Sequence, residues 1–235
     1  GPRLWATSGD RVSRWNGTSW TYLGQILGGY SRTLAAIDEG GGTALYVAGE
    51  FDYIQSQPAH NIARYMGGSS WSALGGGVQP GIQGGGVFSL ISYDSGAGPE
   101  LHAGGYFTNV NDGGVVLPAA DYIATWDGSH WAALGDNGAG DGALNNAVFA
   151  VAVSGSTVYA GGAFVNVNDH GSVLADADYL SQWDGSHWSV VGSNGTRLLS
   201  AVYSILAYGT GVVVGGRFAG GYNGGVFMPT EAYVA

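Results

Sequence analysis

The sequence predicts an all-β protein built from repeated units, and three observations lead to this fold class. First, the stretch YIATWDGSHWAALG at residues 122–135 recurs almost unchanged as YLSQWDGSHWSVVG at residues 179–192. Second, short β-rich runs are separated by Gly, Asp and Ser, which are the signals of strands joined by hairpins. Third, the chain has 45 glycines in 235 residues, and they interrupt every window in which a helical period could be sought.

Each repeat contains three motifs in a fixed order. An apolar run such as VFAVAV comes first, and a Gly-Gly motif such as VYAGGAF follows it. A tryptophan motif such as QWDGSHW closes the repeat, and its last Trp stands at positions 20, 71, 131 and 188. One repeat therefore supplies four short strands, which are VFAVAV, TVYAGGAF, YLSQW and HWSVV in residues 136–192. Between the second and third strands the sequence predicts a long polar loop.

Four antiparallel strands in a repeat of about 40–60 residues are typical of one blade of a β-propeller. We therefore predict a β-propeller of four-stranded antiparallel blades, with about 18 strands, as a single domain over residues 1–235. The predicted repeat units are residues 1–24, 25–75, 76–135, 136–192 and 193–235. Four to five blades are visible and both ends fall in mid-blade. The chain is expected either to form a five-bladed ring with an incomplete seam or to be a slice of a larger propeller.

Charge and composition exclude several classes of function. The net charge is −10 and all seven basic residues are Arg, which opposes binding to nucleic acid or to anionic membranes. No apolar run approaches the roughly 18 residues of a membrane-spanning helix. Cysteine is absent, so disulfides, thiolate metal sites and thiol nucleophiles are excluded together.

The Gly-Gly and Trp-Asp-Gly motifs resemble the kelch-like repeats of large extracellular and cell-surface propellers of bacteria and of fungal cell-surface Rax2-type proteins. The resemblance covers essentially the whole chain. It implies a propeller fold and an extracellular or cell-surface location. It implies no particular activity, because such propellers include enzymes, lectins and scaffolds alike.

Two acidic stretches, NVNDGGVVLPAAD at residues 109–121 and NVNDHGSVLADAD at residues 166–178, are near copies. Clustered oxygen ligands in a loop can hold Ca²⁺, although the spacing is not that of an EF-hand. The alternative is a solvated loop, since Asn and Asp are ordinary loop formers. No other cofactor is required, and the scattered histidines do not predict a transition-metal site. The candidate calcium ligands are Asn111, Asp112, Asp121, Asn168, Asp169, Asp176 and Asp178.

The tryptophan motifs also offer candidate ligand-binding residues. Trp131 and Trp188, with the preceding His130 and His187, occupy equivalent positions and would stack on sugar rings if exposed. The alternative is that both Trp of each motif seal the blade. His102 replaces an aromatic residue of the other repeats, so it is expected to be packed.

Two Asn-x-Thr sequons, at Asn16 and Asn194, are candidate glycosylation sites, and Asn-Gly-Thr is equally good turn chemistry.

The sequence therefore indicates a binding or structural role rather than an enzyme. The first hypothesis is a non-catalytic extracellular or surface propeller that binds other proteins or copies of itself, within a larger assembly. A glycan-binding, lectin-like propeller is the alternative. A glycoside hydrolase with carboxylates in the channel is the weaker alternative, because the acids recur at equivalent positions of the repeats, which a structural role explains more simply.

Overall fold

A computed structural model of the protein describes residues 4–39, 42–75, 81–94, 98–192, 197–208, 211–218, 220–223 and 226–229. The regular elements in this part of the chain are 27 β-strands and one turn of 3-10 helix at Pro118–Ala120, so the all-β prediction is confirmed. No helix in the described ranges has the length and apolar character needed to cross a membrane. The strands, in chain order, are β1 Leu4–Ser8, β2 Arg11–Trp15, β3 Trp20–Leu27, β4 Tyr30–Asp38, β5 Thr43–Glu50, β6 Tyr53–Ile54, β7 Gln57–Pro58, β8 Ile62–Gly67, β9 Ser70–Ala73, β10 Gly81–Gln83, β11 Val87–Asp94, β12 Pro99–Gly105, β13 Asn109–Asp112, β14 Val115–Leu117, β15 Ile123–Trp126, β16 Trp131–Ala133, β17 Val148–Ser154, β18 Thr157–Gly162, β19 Val167–Asp169, β20 Ser172–Leu174, β21 Leu180–Trp183, β22 Trp188–Val190, β23 Arg197–Leu198, β24 Val202–Tyr208, β25 Gly211–Gly216, β26 Gly220–Asn223 and β27 Val226–Pro229.

Three of the repeats form four-stranded antiparallel sheets. Their strand orders are β4-β5-β8-β9, β11-β12-β15-β16 and β17-β18-β21-β22, so the apolar run, the Gly-Gly motif and the two halves of the tryptophan motif pair in succession. β1, β2 and β3 pair in the same way as the last three strands of such a sheet. β24 and β25 pair as the first two.

The Trp-Asp-Gly stretch forms the turn between the third and fourth strands. The Asp184 carboxylate accepts the backbone N–H groups of Ser186 and His187 at 2.8 Å each. Gly185 has φ of 106°, a conformation that favours glycine. These bonds hold the Asp184 pKa below its usual value. The Asp-Gly pair is therefore explained by the turn that it makes.

The predicted long polar loops are instead β-hairpins. The stretches that follow the second strand of a sheet form β6–β7, β13–β14, β19–β20 and β26–β27. These four hairpins add eight strands, and β10 and β23 add two more, so the described residues contain 27 strands and not about 18. Three of the hairpins pair with the chain that leads out of the preceding sheet: β6 pairs with the end of β3, β13 with β10 and β26 with β23. A second layer of hairpins therefore joins neighbouring repeats.

The sheets stack in chain order, with β4, β11, β17 and β24 side by side. Glycines of the Gly-Gly motif allow this approach. A Cβ on Gly104 would lie 2.6 Å from the Val148 side chain of the next repeat, and one on Gly161 would lie 2.5 Å from Val202. The apolar clusters accordingly contain residues from successive sheets.

The last tryptophan of three of the four tryptophan motifs lies in the joint between repeats. The Trp71 indole N–H donates to the Leu23 carbonyl at 3.1 Å, and Trp188 donates to the Leu134 carbonyl at 2.6 Å. Both acceptors belong to the Leu-Gly that follows the preceding tryptophan motif. Trp131 lies in the same way against Gly75, but its buried indole N–H has no hydrogen-bond partner in the described part of the chain.

Candidate functional site

The structure separates the candidate calcium ligands of the first acidic stretch. The Asn111 side-chain oxygen accepts the Gly114 N–H at 2.8 Å, within the hairpin turn. The Asp112 carboxylate accepts the backbone N–H of Trp131, in the neighbouring sheet, at 3.2 Å. Consecutive residues of a strand point to opposite faces, so these two side chains diverge. Each is used by the backbone of its own repeat.

The second acidic stretch repeats the aspartate contact and differs from the first stretch in two ways. The Asp169 carboxylate accepts the backbone N–H of Trp188 at 3.0 Å, as Asp112 accepts that of Trp131. The first difference is that the side-chain oxygen of Asn168 is buried and without a hydrogen-bond partner within the described ranges. The second is that Asp169 also contacts histidines, as described below.

The remaining candidates of that stretch have separate partners. Asp178 accepts the Asn166 N–H at 2.6 Å, and Asp176 lies 3.8 Å from the Arg197 guanidinium. Together with the divergence along the strands, these contacts give the candidate residues separate partners, and calcium binding by them stays a prediction. The hairpin pairing, which sends neighbouring side chains to opposite faces, is the physical reason.

Asp121 lies beside a second acidic residue, Asp141. Burial, followed by the negative charge of Asp141, raises the Asp121 pKa to about 7. Its Oδ1 atom is buried and has no hydrogen-bond partner in the described residues. The Asp121 carboxyl group therefore titrates near neutral pH.

Neither candidate sugar-stacking tryptophan offers a free ring face. Trp131 is 3% exposed and Trp188 is 2% exposed. Each packs against the first Trp of its own motif, with ring centroids 5.3 Å apart at Trp126 and 5.6 Å apart at Trp183. Their positions agree with the alternative that the Trp pairs seal the repeat. His102 is also buried, as expected, and burial lowers its pKa to about 4.

His187 belongs to a polar cluster that also contains Asp169, His170 and Asp136. The His187 Nδ1 lies 2.8 Å from one Asp169 carboxylate oxygen, and the His170 Nε2 lies 3.9 Å from the other. The His170 Nδ1 lies 3.3 Å from the Asp136 carboxylate. The His170 Nε2 also lies 3.2 Å from the Ser186 carbonyl, which is the largest cause of a raised His170 pKa, followed by the nearby carboxylates.

His170 occupies an unusual backbone position. It is the first residue of the two-residue turn between β19 and β20, with φ of 49°, and Gly171 follows with φ of 91°. Such turns require positive φ at both central residues, which favours glycine. The preceding repeat has Gly113 at this position, with φ of 60°. In that repeat His130 is the equivalent of His187, and it is exposed. The residue at the position of His170 is Gly113, so His130 has no second imidazole from this turn beside it.

The sequence analysis missed His170 because it predicted a loop where a hairpin forms. The signal that could have located it is the Asn-Asp-His-Gly stretch beside Asn-Asp-Gly-Gly in the other repeat, which marks a tight hairpin turn with one substitution.

A polar cavity of about 540 Å³ lies between the first two four-stranded sheets. Glu39, Tyr46 and Arg64 line one side, and Trp126 with the Asp127–Ser129 turn lines the other. Glu39 accepts hydrogen bonds from the Tyr46 hydroxyl at 2.5 Å and from the Arg64 guanidinium. The Arg64 hydrogen bonds lower the Glu39 pKa, and burial, followed by the contact with Glu39, raises the Tyr46 pKa.

Of the two sequons, only the first lies in the described residues. The Asn16 side-chain oxygen accepts the Thr18 and Ser19 N–H groups at 2.9 and 3.0 Å, so this Asn holds a turn at the surface. Asn194 lies outside the described residues.

Comparison with known proteins gives little. No family model matches the chain, and no curated protein matches it. Among solved structures, one described as "Structure of YjhT" is 15% identical with a TM-score of 0.42, and the match covers 93% of this chain and 69% of that chain. At this identity and TM-score the likeness supports no statement about this protein. The molecule itself is an all-β repeat protein.

Proposed function

We propose that the chain is a β-propeller domain, or part of one, of the kelch-like type, and that it acts as a non-catalytic structural or protein-interaction module at an extracellular or cell-surface location. The observation that carries this proposal is the repeated joint between sheets, in which a tryptophan of one repeat covers the Leu-Gly of the repeat before it. Large side chains packed in these joints stabilise each repeat against its neighbour, as is typical of repeat proteins that serve as scaffolds.

The described acids support the same role. Most carboxylates of the repeat motifs accept hydrogen bonds from backbone N–H groups, as Asp112, Asp127 and Asp184 do. Through these bonds the three carboxylates hold turns and hairpins of the repeats, which is a structural role.

The interaction surface that we propose is the exposed face of the β24–β25 pair. Leu206 is 63% exposed, Tyr208 is 78% exposed and Val213 is 40% exposed. Leu206 pairs directly with Val213, and Tyr208 lies on the same face of β24, so the three side chains form one patch. An exposed apolar patch on a sheet face favours contact with another chain, and we assign a second copy as the partner.

Sedimentation velocity over a concentration series tests this assignment. We expect wild-type protein to self-associate and Leu206→Asp to shift it to monomer. Val173→Asp is the matched control, since Val173 is 59% exposed on a hairpin of another repeat. If the wild-type protein remains monomeric up to about 100 μM, where even a weak interface would form, the proposal of self-association through this face is rejected.

The polar cavity favours a second candidate function, which is glycan binding. Its carboxylate, guanidinium, hydroxyl and indole groups suit a small ligand rich in hydroxyl groups. The Ser129→Trp variant fills the cavity from an exposed turn, and Ser186→Trp at the equivalent turn of the next repeat is the control. A glycan array with Ca²⁺ and with chelator should give a hit that only Ser129→Trp abolishes. An array without hits removes this candidate.

Within this cavity the charges favour binding over hydrolysis. Hydrolysis of a glycoside needs a carboxylic acid with a raised pKa to protonate the leaving group. The pKa of Glu39 is lowered by Arg64, and that of Asp127 is lowered by the His130 and Ser129 N–H groups. Both groups are therefore ionised at neutral pH and suited to accept hydrogen bonds from ligand hydroxyls.

A further inference from the structure

We propose that Asp169, His170 and His187 bind one divalent transition-metal ion, for which Zn²⁺ fits best, and that the ion clamps the β19–β20 hairpin to the turn before β22. The site lies outside the cavity and the β24–β25 face discussed above, and it does not depend on either proposed function.

The three side chains already converge. One ligand atom from each lies within 4.8 Å of the others. In a tetrahedral zinc site, with bonds of about 2.0 Å, ligand atoms stand roughly 3.3 Å apart. Small changes in side-chain torsion therefore bring the three atoms to coordinating distance. The two imidazole rings are in contact, edge to face at 86°, with centroids 5.4 Å apart.

Further contacts fix the ligands, as second-shell partners do in metal sites. Metal-bound histidines usually donate their other ring N–H to a carboxylate or a carbonyl. The His170 Nδ1 lies 3.3 Å from the Asp136 carboxylate. Its Nε2 lies 3.2 Å from the Ser186 carbonyl and 3.9 Å from Asp169, and it would exchange the carbonyl contact for the ion. The Asp169 side chain is only 12% exposed, and it accepts a hydrogen bond from the backbone N–H of Trp188 at 3.0 Å. The carboxylate is therefore oriented before any ion arrives.

The chemistry of the ligands selects the metal. Two imidazoles and one carboxylate suit Zn²⁺ and its first-row neighbours, whereas Ca²⁺ prefers oxygen ligands only. Three protein ligands leave a fourth position for water, and the exposed histidines, at 44% and 63%, allow the ion to enter. The net charge of −10 favours cation binding in general.

The backbone supplies an independent argument. His170 adopts a left-handed conformation at a turn position where the preceding repeat uses Gly113. A side chain kept in a conformation that glycine adopts more easily points to a role for that side chain. The preceding repeat retains Asp112 and His130 at the positions of Asp169 and His187 but lacks the third ligand. The chain therefore contains its own matched control.

The test is isothermal titration of the full, tag-free chain with ZnCl₂ at pH 7.5, for wild type and the variants His170→Gly, His187→Ala and His130→Ala. We expect one site in wild type and in His130→Ala, and its loss in the other two. His170→Gly restores the turn sequence of the preceding repeat, so its far-UV circular dichroism and metal-free melting temperature should equal or exceed those of wild type. Loss of binding in this variant can then not be attributed to unfolding.

A second measurement reads the clamp directly. At free zinc about 100 times the dissociation constant, the wild-type melting temperature should rise by roughly 5–10 °C, and that of His170→Gly should stay unchanged. Absence of zinc binding to wild type up to millimolar concentration overturns the proposal. Binding that persists in His170→Gly, or that disappears in His130→Ala, also overturns it, because the ligands would then be other residues.

Discussion

The tryptophan joints allow a comparison within one molecule. Trp188→Phe and Trp131→Phe remove the same indole from equivalent, almost fully buried positions. The Trp188 indole N–H donates to the Leu134 carbonyl at 2.6 Å, whereas the Trp131 indole N–H is buried without a hydrogen-bond partner among the described residues. The two substitutions should therefore differ in stability although they change the same atoms.

The magnitudes follow from these contacts. Loss of ring volume costs about 1–3 kcal/mol at either position, and this contribution cancels in the comparison. Trp188→Phe also breaks a buried hydrogen bond and leaves the Leu134 carbonyl unpaired, at about 1–3 kcal/mol. Trp131→Phe instead removes an unpaired donor, which returns about 1 kcal/mol. We expect Trp188→Phe to be the more destabilising by about 2–4 kcal/mol.

Urea unfolding measures this difference. Both variants and wild type are unfolded in EDTA, with circular dichroism and fluorescence as probes, and the midpoints are compared at a common slope. Trp20→Phe is the control, because Trp20 is 51% exposed and should change stability by less than about 0.5 kcal/mol. Equal losses at Trp131 and Trp188, or a larger loss at Trp131, would refute the hydrogen-bond argument.

Three further predictions concern close packing and pH. A Cβ on Gly24 would lie 2.5 Å from the Nε1 atom of buried Trp71, so Gly24→Ala should lower the free energy of unfolding by about 1–3 kcal/mol, and an unchanged urea midpoint would mean that the ring yields freely. His102 has a folded pKa of about 4, below its unfolded value of 6.5, so stability is full above pH 6.5 and falls as the pH drops towards 4. Between pH 7 and pH 4 the His102→Tyr variant should lose about 2–3 kcal/mol less unfolding free energy than wild type, as measured from unfolding midpoints at the two pH values. Equal losses in the variant and in wild type would contradict this prediction. Asp121 has a folded pKa of about 7, above its unfolded 3.8, so its contribution is full below pH 3.8 and is lost as the pH rises through 7. Because Asp121 is partly exposed and screened, Asp121→Asn should raise the free energy of unfolding by only about 1–2 kcal/mol at pH 8 and leave it unchanged at pH 3.5. Equal effects at the two pH values would show that the Asp121 charge does not destabilise the fold.

The main sheets could be predicted from the sequence because their signals are local. Apolar runs, Gly-Gly motifs and Trp-Asp-Gly turns each specify a strand or a turn within a few residues. The turn chemistry also holds in detail, as the hydrogen bonds from Ser186 and His187 to Asp184 demonstrate. These elements need no knowledge of the rest of the chain.

The hairpin layer and the histidine cluster were missed for different reasons. The polar composition of residues 109–121 and 166–178 concealed their alternation, and each hairpin depends on pairing or packing beyond its own strands. The contact of His170 with His187 joins a hairpin turn to a sheet turn 17 residues further on, so no spacing rule for metal ligands could find it. Pairing between repeats is a tertiary property that a local pattern does not contain.

The tryptophan joint has a direction along the chain. The Leu23 and Leu134 carbonyls lie 48 and 54 residues ahead of the indoles that cover them. During synthesis at about 5–20 residues per second, each acceptor therefore waits roughly 2–11 s for its tryptophan to be made. At these two joints a repeat is synthesised before the tryptophan that covers it, so the joint can close only after the next repeat has been made.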